Sequence, residues 1–136
     1  MNVSLVSAAT PELHSLWDHA HRDVLAKRGG PALLATLCGT TPESELLSVV
    51  IASSSLWSVD VNGELKAFGL FRDGIVEAIY VEHGSRRQKI ATTLVRTLLN
   101  GDPAPVDAYA LPGDRAMKSL YESLGWKARL LTMRGV

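Results

Sequence analysis

A cluster of cationic residues stands where a strand pattern gives way to an amphipathic helix pattern. Arg86, Arg87 and Lys89 precede Ile90, the first of the apolar residues that recur at helical spacing. The first backbone N–H groups of a helix lack partners within it, and its dipole is positive at that end. Three cations there are unfavourable alone and become favourable once an anion binds. The pattern therefore favours a phosphate site over its alternative, a solvated helix start without a ligand.

The same segment resembles the acetyl-CoA-binding motif of the GNAT superfamily of N-acetyltransferases. That motif has Arg or Gln, two variable residues, Gly, one variable residue, and then Gly or Ala. Arg86, Ile90 and Ala91 are in register with it, whereas Lys89 stands in a glycine position. The resemblance implies that backbone amides of residues 87–91 hold the pyrophosphate. The coenzyme-binding residues implied here are Arg86, Arg87, Gln88, Lys89, Ile90 and Ala91.

The strand before this loop also acquires a role from the resemblance. Ile79, Tyr80 and Val81 end that strand, and the matching residues of the family pair with the pantetheine arm of the coenzyme. A backbone N–H near Val81 would then donate to the thioester carbonyl, so the oxyanion would need no side chain.

A second block, Asp114–Trp126, resembles the later motif of the family. There an Asn begins the helix, an Ala lies one turn in, and Leu-Tyr-Glu-x-Leu-Gly-Phe closes it. Here Asp114 replaces the Asn and Met117 the Ala, and both are counted as coenzyme-binding residues. The resemblance covers about residues 56–133. The matching positions of this block are Leu120, Tyr121, Glu122, Leu124 and Gly125.

Two residues are candidates for the proton transfers that acetyl transfer to an amine requires. The resemblance makes Tyr121 the acid for the coenzyme sulfur; the alternative is a ring packed beside Leu120 and Leu124 with its hydroxyl in water. Glu77 is the candidate base, because it is a charged residue within the apolar run Ile75–Val81. Strand parity places it on the face of Ile79 and Val81. The alternative for Glu77 is an ion pair with Lys66 or Arg72. Water could then accept the proton of the amine.

Periodicity and turn signals predict the elements that position these residues. Helices are expected from Pro11 to Lys27, in two short segments before residue 53, from Ile90 to Asn100, and after Asp114. The expected fold is a GNAT-like α+β domain over residues 1–136, with a mixed, mostly antiparallel six-stranded sheet flanked by helices. A right-handed β-α-β coenzyme-binding unit covers Ile75 to Leu111. The six predicted strands are Val3–Ser7, Leu56–Val61, Glu64–Phe71, Ile75–Val81, Val106–Leu111 and Trp126–Met133.

Composition narrows the classes of function. Fourteen basic and fourteen acidic residues cancel, which argues against a nucleic-acid partner. The single cysteine, Cys38, permits no intrachain disulfide and fits a cytoplasmic address, and the N-terminus lacks a signal-peptide pattern. The longest apolar stretch, Leu46–Ala52, is too short for a membrane span. No metal-ligand spacing is present, so no metal is expected.

The sequence thus predicts an N-acetyltransferase that moves acetyl from acetyl-CoA directly to an amine in a ternary complex. The acceptor would lie between the N-terminal helices and the meander, near Trp17, Trp57 and Glu77, and small amines, peptides and protein lysines all remain open. One alternative is a non-catalytic acyl-CoA-binding regulatory domain. Another is a protein-interaction module that forms a homodimer through an exposed strand edge at Lys127–Met133.

Overall fold

One sheet and the helices on its two faces make up the fold of this computed structural model, which describes residues 1–86 and 89–135. The helices within these residues are α1 (Pro11–Ala26), α2 (Gly30–Cys38), α3 (Leu46–Ala52), α4 (Ile90–Leu99) and α5 (Arg115–Ser123). The strands are β1 (Asn2–Leu5), β2 (Leu56–Val61), β3 (Glu64–Arg72), β4 (Ile75–Val81) and β5 (Asp107–Ala108). Short 3₁₀ turns lie at Glu43–Glu45 and His83–Ser85. Among the residues described, no helix has the length and apolar character needed to cross a bilayer.

The strands lie in the order β1-β2-β3-β4-β5, and the pairing is antiparallel except between β4 and β5. The α4 helix joins those two parallel strands, so the expected β-α-β unit is present. Both hairpin turns follow from their sequences. Asn62 and Gly63 both have positive φ, as do Asp73 and Gly74, which is the backbone that a two-residue turn of this kind requires. The α+β class and the mixed, mostly antiparallel sheet are confirmed.

Each face of the sheet has its own core. On one face α1, α2 and α3 pack through residues such as Leu16, Leu34 and Val50. On the other face α4 packs through Ile90, Leu94 and Leu98. Trp57 packs with this second core. The prediction that Trp57 and Trp17 lie together near the acceptor is therefore wrong, because Trp17 packs on the opposite face.

A β-bulge in β4 overturns the predicted orientation of Glu77. Leu70 pairs with Ala78 while Phe71 pairs with Val76, so Glu77 is the extra residue on its strand. Strict alternation fails at such a bulge. Glu77 reaches Arg72, which in turn bonds the α2 carbonyl of Leu37, so its side chain is on the face of the N-terminal helices. The parity argument that put it with Ile79 and Val81 is wrong.

The sixth predicted strand, Trp126–Met133, is not present, and residues 126–135 are irregular. The fifth predicted strand, Val106–Leu111, is reduced to the two residues of β5. The side chain of Arg129 still reaches Asp107, with Nη1 at 3.2 Å from Oδ1. The apolar members of the segment are largely exposed, Leu130 by 85%. The strand edge on which the homodimer hypothesis rested is therefore not formed.

Candidate active site

A crevice opens where the parallel strands stop pairing. The β4–β5 ladder consists of Ile75 with Asp107 and Val76 with Ala108, and beyond these pairs the carboxyl half of β4 borders a cavity of about 400 Å³. Ligands of open sheets tend to bind outside the carboxyl ends of parallel strands. The N-terminus of α4 forms a second wall, and α5 forms a third.

Nine of the residues expected to bind the coenzyme line this crevice. The other two, Arg87 and Gln88, lie outside the described residues. Additional lining comes from Asp23 of α1 and from Lys27, which caps the C-terminus of that helix; the sequence analysis missed both because no motif marks this helix. The sequence did contain one signal for them, because their i,i+4 spacing places both on the helix face that buries Ala20. The expected residues that line the crevice are Ile79, Tyr80, Val81, Arg86, Lys89, Ile90, Ala91, Asp114 and Met117.

Lys89 caps α4 in a left-handed backbone conformation, with φ 61° and ψ 22°. Glycine adopts this conformation freely, whereas a side chain makes it costly. The structure therefore gives a backbone reason for the glycine of the motif that this segment resembles. The Lys89 side chain is exposed at the rim of the crevice.

Arg86 ties the loop before α4 to its surroundings. Its Nε donates a hydrogen bond to the carbonyl of Val81 at 3.2 Å, and its guanidinium lies 5.5 Å from the centre of the Tyr80 ring. Its Nη2 is 3.7 Å from Oδ2 of Asp23 on α1. Arg86 thus joins β4 to α1 across the crevice.

A smaller cavity of about 90 Å³ lies on the α1 and α2 side and meets the crevice. Lys27 stands at the meeting point, with Nζ 3.1 Å from Oδ2 of Asp23 and 3.6 Å from Oδ2 of Asp114. Asp114 also caps α5, because its Oδ1 accepts the N–H of Met117 at 3.1 Å. The residues common to both cavities are Asp23, Lys27, Ile79, Tyr80, Asp114 and Met117.

Tyr121 is enclosed next to the crevice. Its ring stacks on Trp126 and is only 7% exposed, while its helix neighbours Met117 and Leu120 form the crevice wall. Its hydroxyl is buried and has no hydrogen-bond partner among the described residues. The alternative with this hydroxyl in water is therefore wrong. Burial, and then the charge of Asp114, raise the pKa of Tyr121 well above its usual range, so the phenol stays protonated and able to donate.

Glu77 lies in the smaller cavity and is 7% exposed. Its Oε1 accepts a hydrogen bond of 2.5 Å from Nε of Arg72. The ion pair with Arg72 that the sequence left as an alternative is therefore formed. Nη2 of Arg72 also donates to the carbonyl of Leu37 at 2.7 Å, which fixes the pair against α2.

These residues fit acetyl-CoA on two counts. The first is the crevice itself. The edge of β4 suits the amides of the pantetheine arm, and the N-terminus of α4 suits the phosphates. The second is the unpartnered hydroxyl of Tyr121, which calls for an explanation; Tyr121 lines neither cavity itself but lies beside Met117 and Leu120, which line the crevice.

Comparison with known proteins gives the same fold. No protein-family model and no curated protein matches the chain. Among solved structures, ribosomal-protein-alanine N-acetyltransferase from Brucella melitensis biovar Abortus 2308 is 18% identical with a TM-score of 0.58, over 98% of this chain and 100% of that one. An N-acetyltransferase from Staphylococcus aureus Mu50 is 16% identical with a TM-score of 0.62, over 93% and 84%. A predicted acetyltransferase from Clostridium acetobutylicum, solved with acetyl-CoA, is 17% identical with a TM-score of 0.59, over 98% and 96%. The chain therefore has the fold of the GNAT-type acetyltransferases.

Proposed function

We propose that this protein is an N-acetyltransferase that transfers acetyl from acetyl-CoA to an amine within a ternary complex. The observation that carries the proposal is the junction of two cavities that share six lining residues. Direct transfer needs two substrates held with their reacting atoms in contact, and two joined cavities provide that arrangement. Structures with this fold include one solved with acetyl-CoA.

The crevice is the proposed site for acetyl-CoA. The backbone amides of residues 87–91 would hold the pyrophosphate, and the β4 edge from Ile79 to Val81 would pair with the pantetheine arm. The side chains of Arg86 and Lys89 add positive charge at the same end of the crevice. Asp114 and Met117 would bound the arm from α5. The coenzyme supplies the acetyl group as a thioester.

The proposed chemistry is attack of a neutral amine on the thioester carbonyl. The C–N bond forms, the C–S bond breaks, and the amine loses a proton while the departing thiolate gains one. Glu77 is the proposed acceptor of the amine proton, because its carboxylate faces the smaller cavity and its bond to Arg72 uses Oε1. Tyr121 is the proposed donor to the sulfur, since its hydroxyl has no other partner among the described residues.

Calorimetric titration with acetyl-CoA, followed by an assay of thiol release with amines, tests the proposal. Ala91→Asp places a carboxylate in the first turn of α4, where it suits the helix dipole but repels phosphate. It should keep the fold and weaken acetyl-CoA binding about tenfold or more. Thr97→Asp, at an exposed position later in α4, is the matched control and should bind normally. Equal affinity in both variants would contradict the placement of the phosphates.

The non-catalytic alternative gives a different pattern in the same experiments. A regulatory acyl-CoA-binding domain would bind acetyl-CoA and release no thiol with any amine. A pure interaction module would give no heat of binding at millimolar ligand.

A further inference from the structure

The smaller cavity has walls suited to hydrocarbon. Trp17 of α1 stacks on Phe68 with ring centres 5.3 Å apart, and Phe68 meets Tyr80 at 6.0 Å. Leu34 and Leu37 of α2 close the opposite side. A hydroxyl group that lies against these rings and leucines has no partner there, so a polyhydroxylated ligand would lose hydrogen bonds along this part of the lining.

The volume of the cavity limits the body that it can hold. At about 90 Å³ it is well below the roughly 150 Å³ of an engineered apolar cavity that takes up benzene. A body of about four carbons is therefore near the upper limit of what this space can enclose. The amine group of such a chain can still reach the crevice, because the two cavities share their lining at Asp23 and Tyr80.

Asp23 stands ready for an ammonium group at the junction. Its Oδ2 lies 3.1 Å from Nζ of Lys27 and 3.7 Å from Nη2 of Arg86, so Oδ1 is the oxygen that would accept from a ligand. Asp114, the other carboxylate common to both cavities, has its Oδ1 bound to the N–H of Met117. An ammonium ion that donates to Asp23 would therefore be held where the two cavities meet.

The charges around the cavity select against an acidic acceptor. Four carboxylates line it, from Asp23, Glu43, Glu77 and Asp114, against the side chains of Lys27 and His21. Lys27 is already held between two of these carboxylates. A further carboxylate on the ligand would enter an apolar space bordered by like charges, which is unfavourable.

From these walls, this volume and these charges, we infer that the acceptor is a small amine with a hydrocarbon body of about four carbons and no carboxylate, bound in the smaller cavity with its ammonium group on Asp23. The inference rests on the proposed function and narrows its acceptor. Peptide lysines, sugar amines and amino acids are the rival acceptors. A longer acyl chain on the coenzyme is the rival occupant of the cavity.

Amines of equal length provide the test on the full chain with acetyl-CoA. Butylamine should have a kcat/KM about tenfold or more above 4-amino-1-butanol and 4-aminobutyrate, because a hydroxyl end loses hydrogen bonds against the apolar walls and a carboxylate end meets the carboxylates of the lining. It should also surpass a short lysine peptide. In the presence of CoA, which does not react, butylamine should raise the melting temperature while 4-aminobutyrate does not.

Asp23→Asn tests the residue assigned to the ammonium group. It should raise KM for butylamine about tenfold, because a charge-assisted bond to the amine is lost, and should raise KM for acetyl-CoA by less, because the coenzyme is affected only through the weakened ion pairs of Asp23 with Lys27 and Arg86. Asp23→Glu should recover part of the loss. Asp18→Asn, at an exposed position of the same helix, is the matched control and should behave as the wild type.

The outcomes separate this inference from the proposed function. Absence of acetyl-CoA binding would overturn both. Acetyl-CoA binding with a preference for 4-aminobutyrate or the lysine peptide, or an unchanged KM for butylamine in Asp23→Asn, would overturn the inference alone. Tighter binding of butyryl-CoA than of acetyl-CoA would also overturn it, because the acyl chain would then occupy the cavity.

Discussion

The ring of Tyr121 stacks on that of Trp126, with centres 5.5 Å apart and planes at 15°. The stack exists because Gly125 adopts positive φ after α5, and the N–H of Trp126 then donates to the carbonyl of Tyr121 at 3.0 Å. Trp126 thereby covers the phenol ring. The stacked pair helps to bury a hydroxyl that lacks a hydrogen-bond partner in the described structure.

Replacing Tyr121 by Phe should separate stability from activity. An unpartnered buried hydroxyl costs about 1–3 kcal/mol, so its removal should leave the free energy of unfolding unchanged or raise it. The proposed proton donor would be lost at the same time, and kcat should fall roughly 10²-fold. Urea denaturation and thiol-release kinetics measure the two effects. A stable variant with normal kcat would remove Tyr121 from the mechanism.

The burial of Tyr121 also predicts in which direction the free energy of unfolding changes at alkaline pH. Burial raises the pKa of this phenol above the value of about 10 for an exposed tyrosine. The unfolded chain therefore loses the proton first, and the stabilisation present below pH 10 or so is lost as the pH rises further. Unfolding followed by circular dichroism between pH 9 and about 12 should show less alkaline destabilisation in Tyr121→Phe than in the wild type. Superimposable curves would contradict the role of burial.

The turns and helix starts were predictable because their signals are local. Asn62-Gly63 and Asp73-Gly74 both form the expected tight turns. Thr10 accepts the N–H of Leu13 at 3.1 Å, and Asp114 likewise caps α5. In each case the residue type alone provides the positive φ or the side-chain acceptor that the position requires.

The predictions that failed depend on contacts between segments that are far apart in the sequence. Glu77 faces the N-terminal helices because of a bulge against β3, and the alternation of polar and apolar residues contains no sign of a bulge. Residues 126–133 alternate enough to suggest a strand, but β5 offers an edge of only two residues. Asp23 and Lys27 reach the site because the C-terminal end of α1 lies against the crevice, and no motif in that helix indicates this.

Lys89 offers a test of the backbone at the start of α4. A residue other than glycine in the left-handed region costs about 1 kcal/mol or more, so Lys89→Gly should raise the free energy of unfolding by about that amount. Lys89→Ala removes the same charge but keeps the side-chain penalty, and it should not be stabilised. Chemical denaturation of the two variants makes the comparison, and equal stability would contradict the argument from φ.

The same pair of variants tests the charge of Lys89. Its ammonium group lies at the rim of the proposed phosphate site, so both substitutions should weaken acetyl-CoA binding several-fold at low salt. The difference from the wild type should shrink as salt is raised, because screening weakens exposed charge interactions. Calorimetric titration at two ionic strengths measures this difference in affinity. Tighter binding by Lys89→Ala would mean that the side chain obstructs the site.

The Glu77–Arg72 pair should respond differently to one substitution and to two. Glu77→Leu leaves the guanidinium of Arg72 without its carboxylate, at a side-chain exposure of only 22%, and should cost about 3 kcal/mol of folding free energy. Arg72→Leu combined with Glu77→Leu removes both charges and should cost less than Glu77→Leu alone. Urea denaturation of the single and double variants measures the coupling. Additive losses would show that the two charges do not depend on each other.

Glu77→Gln distinguishes the structural role of this residue from a catalytic one. The amide keeps the shape of the side chain and can still accept a hydrogen bond from Arg72, so the protein should remain folded. An amide cannot take up the amine proton, and kcat should therefore fall roughly 10²-fold while KM for acetyl-CoA is unchanged. The rate of thiol release with a saturating amine measures this. If Glu77→Gln loses stability but retains kcat, Glu77 acts only through its ion pair, and the amine proton passes to water.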